Sequence, residues 1–266
     1  MDTASMLAFA FQLAVMILFP LGLAIFFHRR FHVSWVVFFI ALGFYIINLL
    51  LQIPFNFFLW PALLGKQQPW LSLALVTLTY GVCEETMRYL SFRAGRTMCA
   101  NRTANGALMA GVGHGGAESI LFALGTVITI STALLAPQTL KAQGLQASDV
   151  LGPWWYFIGS GLSRILAITV HLGFATLIVL AYRRTMRFYP LAILLHFIVD
   201  FSTFGLQLLT RSLWWTLLLF VLWAIIALAF ILYVRRNNLA AEISVEPQDA
   251  AVPHIADVPQ VPSAGV

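Results

Sequence analysis

Apolar residues run through this chain in stretches too long to be one face of a soluble helix, and short polar or basic segments separate them. Runs of spanning length fall at about 6–27, 33–52, 71–92, 104–136, 153–182, 188–210 and 212–234, against the ~20 residues that an α-helix needs to cross the hydrocarbon core of a bilayer. The pattern predicts an all-α polytopic membrane protein of about seven transmembrane helices. Two stretches depart from it. The segment from Ile53 to Gly65, IPFNFFLWPALLG, is short and broken by prolines, and is expected at the outer membrane interface. Residues 104–136 exceed one crossing and carry Gly106, Gly111, Gly113, Gly115, Gly116 and Gly125, so this segment is expected to tilt, break or re-enter. Residues 1–236 form the transmembrane domain. From Asn237 to Val266 the chain is proline-rich and acidic without apolar periodicity, which predicts a disordered cytoplasmic tail.

Composition agrees with lipid as the solvent. With 61% hydrophobic and 9% charged residues and a mean hydropathy of +0.88, the chain has too little polar surface to cover a water-soluble globule of its length. The formal charge of +5 does not point to nucleic acid, because the basic residues sit in short clusters between apolar runs. Arg29, Arg30, Arg93, Arg96, Arg102, Arg183, Arg184, Arg187, Arg235 and Arg236 all fall on one side if the N-terminus is outside, leaving Lys66, Lys141 and Arg211 opposite. The positive-inside rule then orients the chain N-terminus out, C-terminus cytoplasmic. The first run follows an acidic N-terminus without a basic region or small-residue cleavage site, and reads as a retained helix. Cys83 and Cys99 form no disulfide framework or zinc-ribbon spacing. Trp60, Trp70, Trp154, Trp155, Trp214 and Trp215 mark span ends, where tryptophan anchors helices at the interface.

Against this background the ionisable residues inside spans stand out. Glu84, Glu85, Glu118 and Asp200, with Arg88, Arg164, His114, His171 and His196, lie within predicted helices. A charged side chain at mid-bilayer costs about 2.5–3.5 kcal/mol on insertion scales, so its presence points to function. Counting from the arginine-rich helix ends at ~1.5 Å per residue puts Glu84, His114, His171, His196 and Asp200 roughly 12–18 Å deep. Groups from four helices at one depth can converge on one cavity. Glu84/Arg88, His114/Glu118 and His196/Asp200 are i, i+4 pairs and Arg164/His171 is i, i+7, so each pair shares a helix face. Each feature also has a plainer role. Glu84/Arg88 serves as a neutralising pair, a lone intramembrane histidine as a hydrogen-bonding residue, Arg164 as a partner for Glu118 or Asp200, and Gly111/Gly115 as a close-packing face. One stray charge, however, does not call for three histidines and further carboxylates at the same level.

A carboxylate at low dielectric takes up a proton more readily than in water, which suits it to accept one from water and return it to a leaving amine. Glu84 or Glu85 is the candidate base. His114 is placed to share the proton, and His196 to donate to the oxyanion that forms as a carbonyl becomes tetrahedral. Alternatively, His114, Glu118, His171, His196 and Asp200 offer nitrogen and oxygen ligands for a metal ion, zinc above all, with an open position for water. HxxxE and HxxxD are not the HExxH pair of helical zinc proteases.

The runs EETMRY (84–89), GVGHGGAES (111–119), SRILAITVHLGFATLIV (163–179) and HFIVD (196–200) resemble the YhfC family of predicted intramembrane proteases, grouped with the CAAX-protease and bacteriocin-processing clan. The resemblance covers about residues 5–235. It implies a glutamic-type or metal-assisted peptidase in a bacterial cytoplasmic membrane, acting on a peptide or membrane protein. It matches Glu84 and Glu85 to the clan's double glutamate, His114 to its second-motif histidine and His196 to its third. The arginine of the CAAX branch follows the glutamates after three residues, whereas Arg88 follows after two. Asp200 stands where that branch has asparagine, and an ionised aspartate cannot donate to an oxyanion, so Asp200 is expected to orient His196 or bind metal. Ser163 stands where an acid would precede Arg164.

Two other classes compete. An ion- or proton-coupled transporter would use the same carboxylates and histidines as a relay, but needs broken helices in two related halves, and the sequence shows no such repeat. A non-catalytic peptide-binding or immunity protein would keep the cavity without needing a buried base.

Overall fold

The computed structural model of the protein describes residues 1–64, 68–142, 144 and 146–240. Lys66, and the expected disordered tail apart from residues 237–240, lie outside them. Among the described residues the chain is helical without strands. Six long helices, α1 (Thr3–Phe31), α2 (Trp35–Ile53), α6 (Ala104–Leu135), α9 (Trp154–Arg183), α10 (Phe188–Thr210) and α11 (Leu213–Arg236), are long and apolar enough to cross a membrane. The seventh predicted span is α4 (Pro69–Ser91). It has the length, but its charged residues Glu84, Glu85 and Arg88 dilute its apolar character, and it packs between α2 and α10. The short helices α3 (Trp60–Leu64), α5 (Gly95–Ala100), α7 (Pro137–Ala142) and α8 (Ala147–Val150) lie in the connections.

The segment after Ile53 stays helical. Pro54–Leu59 makes a π-helical turn that runs directly into α3, and the Trp60 indole Nε1 donates to Thr79 Oγ1 on α4 at 3.0 Å. Helix α6 likewise neither breaks nor re-enters. It is one continuous helix of 32 residues, because its glycines serve close packing. Between helices in lipid there is no hydrophobic drive, so backbones associate where small residues let them approach. A Cβ on Gly111 would stand 2.9 Å from Leu172 Cα, and one on Gly115 2.9 Å from His171 Cδ2, both on α9. The small-xxx-small face read from Gly111 and Gly115 is therefore the α6–α9 seam.

Gly116 faces α1, where its missing Cβ leaves room for the ring of Pro20, 2.8 Å away. Pro20 has no N–H, so the Met16 carbonyl one turn earlier loses its helical partner. Ser119, on the same stretch of α6, donates its hydroxyl to that carbonyl at 2.9 Å. In a bilayer core a freed carbonyl must find such a donor. Gly81 does for α4 and α10 what Gly111 does for α6 and α9, since a Cβ there would lie 2.8 Å from the Ile193 carbonyl oxygen. These approaches bring α4, α6, α9 and α10 around one polar core.

Candidate active site

That core holds all nine ionisable residues singled out in the sequence. Glu84, Glu85, Arg88, His114, His171 and His196 are buried; Glu118, Arg164 and Asp200 are partly so. The pairings differ from those that spacing alone suggests. Arg88 bonds Glu85, one turn away at i, i+3, with Nε 3.1 Å from Oε2, and leaves Glu84 to other partners. His114 does not meet Glu118. Its Nε2 lies 3.2 Å from Glu84 Oε2. Glu118 instead takes Arg164 at 3.0 Å on one oxygen and His171 Nε2 at 2.5 Å on the other. Arg164 and His171 thus share a partner as well as a face. His196 and Asp200 do pair, with Nε2 to Oδ2 at 3.4 Å.

Arg88 fixes the tautomer of His171. A guanidinium can only donate, and its NH2 group lies 2.9 Å from His171 Nδ1, so Nδ1 carries the lone pair and Nε2 the proton given to Glu118. His196 is held by Glu85, whose Oε1 sits 2.8 Å from Nδ1. With Nδ1 donating there, Nε2 faces two further acceptors, Asp200 at 3.4 Å and Glu84 at 3.8 Å, which favour a proton on it. Phe174 stacks flat on the His196 ring at 4.6 Å between centroids, which fixes its plane.

Some members of the site were not singled out in the sequence. Gln52 donates to Glu84 Oε1 at 3.4 Å and to Asn48 Oδ1 at 3.0 Å, and Tyr45 sets its ring edge-on to His114 at 4.8 Å. Asn48 and Gln52 are two amides an i, i+4 step apart within an apolar span. The rule applied to intramembrane carboxylates would have found them too.

A metal ion can be tested against these donors. One ligand atom each from Glu84, His114 and His171 lie within 4.8 Å of one another, all buried. Two imidazole nitrogens and a carboxylate oxygen are the donor set of three-ligand catalytic zinc sites. Supporting contacts are also present: His171 donates Nε2–H to Glu118 and Gln52 holds the far oxygen of Glu84, as outer-shell partners of metal ligands do, while ligation through His171 Nδ1 would take the place of its contact with Arg88. The residues fit. Of the metal ligands expected from sequence, His114 and His171 fall in this group and Glu84 joins them. Glu118 and Asp200 stand behind as partners of His171 and His196.

The YhfC intramembrane metalloprotease family model matches residues 15–221. The chain belongs to that family. No curated protein and no solved structure matches it. The match spans every helix that contributes to the site, so the YhfC assignment and the Glu84, His114, His171 cluster rest on the same stretch of chain. The fold of a multi-pass membrane protein and the coarse activity, an intramembrane protease, follow from that membership together with the six apolar helices.

Proposed function

We propose that the chain hydrolyses a peptide bond of a membrane-embedded peptide or membrane protein in a bacterial cytoplasmic membrane, with Glu84, His114 and His171 as the residues that would hold a zinc-type ion. The convergence of those three donors in a buried core carries the reading. A bound ion of this kind polarises a carbonyl and acidifies water. The chain's own residues supply the rest. His196, with Nδ1 donated to Glu85 and Nε2 beside Asp200, relays a proton: the Asp200 carboxylate takes it from the attacking water, and Nε2 delivers one to the amine nitrogen as the C–N bond breaks and is recharged from Asp200. Asp200 and Glu84 flank Nε2 and stabilise its charged form. Arg88 neutralises Glu85, while Glu118 and Arg164 complete the chain of partners behind His171.

A second reading has a specific observation in its favour. The 3.2 Å contact between Glu84 and His114 suits a glutamic-type site in which Glu84 itself takes the proton of water and His114 shares it. Incubating the purified wild type and His114→Ala, in lipid, with intact membrane peptides and searching by mass spectrometry for new termini tests both readings. Termini made only by the wild type, lost on chelation and restored by zinc, support the metal-assisted reading. Termini that survive complete removal of metal support Glu84 as base. No new termini from well-folded protein would overturn both.

A further inference from the structure

Beside the ion-paired core, in the half of the bundle away from the arginine clusters, lies a cavity of about 670 Å³. It is bounded by the first half of α1, α2, the second half of α6 and the start of α9, with Gln12, Tyr45, Phe122, Gly125, Tyr156 and Ser160 among its walls. Its volume falls within the ~300–1,000 Å³ typical of ligand-binding pockets. Two walls connect it to the site. Tyr45 is the residue whose ring meets His114, and Phe122 carries the Arg164 guanidinium over its face at 4.5 Å, the same guanidinium that holds Glu118.

Two features distinguish this space from a packing defect. Gly125 has nothing within 4 Å of where a Cβ would be, unlike the glycines lower on the same helix. Gln12 is 98% buried, at 2% exposure, yet only half of its amide is used. Nε2 contacts Ser160 Oγ at 3.0 Å, and Oε1 has no partner among the described residues. Turning the amide over exchanges the two atoms and still leaves one unpaired. A buried polar atom without a partner costs about 1–3 kcal/mol, and within a bilayer water is not at hand to relieve it.

We propose that this cavity is the substrate-docking site, taking an apolar, locally unwound segment of a membrane-spanning peptide beside the bond to be cut. The proposal rests on the peptidase reading and adds where the substrate lies. The free Gln12 atom is shielded in this arrangement, and a turn of the side chain into the cavity it lines would let a peptide backbone, which offers both N–H and C=O, satisfy it in either orientation, whereas a lipid acyl chain offers neither. An intact helix has its backbone groups already paired, so only an unwound stretch can supply them. The apolar walls contributed by Leu49, Leu121 and Phe157 accept its side chains, and Tyr45 leads from the cavity to His114.

The test uses the full chain in lipid vesicles and a pool of apolar transmembrane peptides carrying a benzophenone side chain. Photolabelling of the wild type is expected on α6 between Leu121 and Ile130 and around Gln12. Gly125→Phe, at a wall position where a Cβ meets no neighbour, places a ring at the cavity and is expected to lower labelling there, and cleavage of the same peptides, about tenfold or more. Gln12→Leu is expected to lower both by a smaller factor, and Gly22→Phe, at an exposed glycine of α1, to change neither. Peptide labelling elsewhere, or equal labelling in Gly125→Phe, overturns the proposal. So does labelling of this wall by a benzophenone phospholipid that the peptides fail to displace. Cavity labelling without any cleavage would sink the peptidase reading and leave the docking site standing. Cleavage unaffected by Gly125→Phe would sink the docking site alone.

Discussion

The two halves of helix α6 are built on opposite principles. In the half that begins at Ala104, Gly111 and Gly115 are closed upon by α9 within 2.9 Å, and His114 and Glu118 each find a partner on another helix. In the half that ends at Leu135, Gly125 faces open space and the neighbouring Gln12 keeps an unpaired amide atom. The first half is a closed polar core in which the ionisable side chains satisfy one another. The second leaves room and unmet hydrogen-bonding capacity. In lipid, where packing and polar pairing rather than hydrophobicity hold helices together, that contrast separates chemistry that must be fixed in advance from a surface that waits for a ligand.

Substitutions break the comparison at different points. The largest effect is expected in the closed half, where Glu84→Ala or His114→Ala should lower cleavage by about a thousandfold or more while the helical bundle persists. Metal content of the purified protein, measured alongside turnover, should fall with it. Glu85→Gln removes the charge that holds His196 Nδ1 and Arg88, and a loss of about 10–100-fold in rate is expected. A wild-type rate would show that Glu85 has only a packing role. The glycines then give opposite signs along one helix. Gly115→Ala forces a Cβ against His171 and should destabilise by about 1–3 kcal/mol. Gly125→Ala meets nothing and should stabilise by up to about 1 kcal/mol through helix propensity alone. Equilibrium unfolding of the two variants in the same detergent reads the difference, and equal signs would contradict the two-half description. The smallest effect is expected from Gln52→Leu, which removes one long hydrogen bond to Glu84. A several-fold loss in rate, about 1 kcal/mol, should appear without change in stability.

Much of this was legible in the chain. The seven apolar runs are the seven long helices, and the nine ionisable residues inside them are the nine that meet. The six tryptophans read as anchors stand where helices begin or turn, and Trp155 stacks on Trp214 across α9 and α11 at 6.0 Å. Less legible were the partners. Glu84 and Arg88 share a face by periodicity, yet Arg88 takes Glu85, because His114 and Gln52 reach Glu84 from α6 and α2. The glycine-rich length of α6 suggests a break to the eye, but Gly111 and Gly115 face α9, Gly113 faces α2 and Gly116 faces α1, and the helix stays whole.

The sequence by itself determined which segments form the long apolar helices and which ionisable side chains lie within them, since both follow from the length of the apolar runs and from the cost of placing charge in hydrocarbon. Tertiary structure alone decided which carboxylate meets which histidine, that Glu84 joins His114 and His171 as a donor set, and that a cavity opens beside Tyr45. Those depend on the rotation and axial offset of one helix against another. Neither leaves a periodic trace in the chain, because lipid is as apolar as the helices and does not mark which face turns inward.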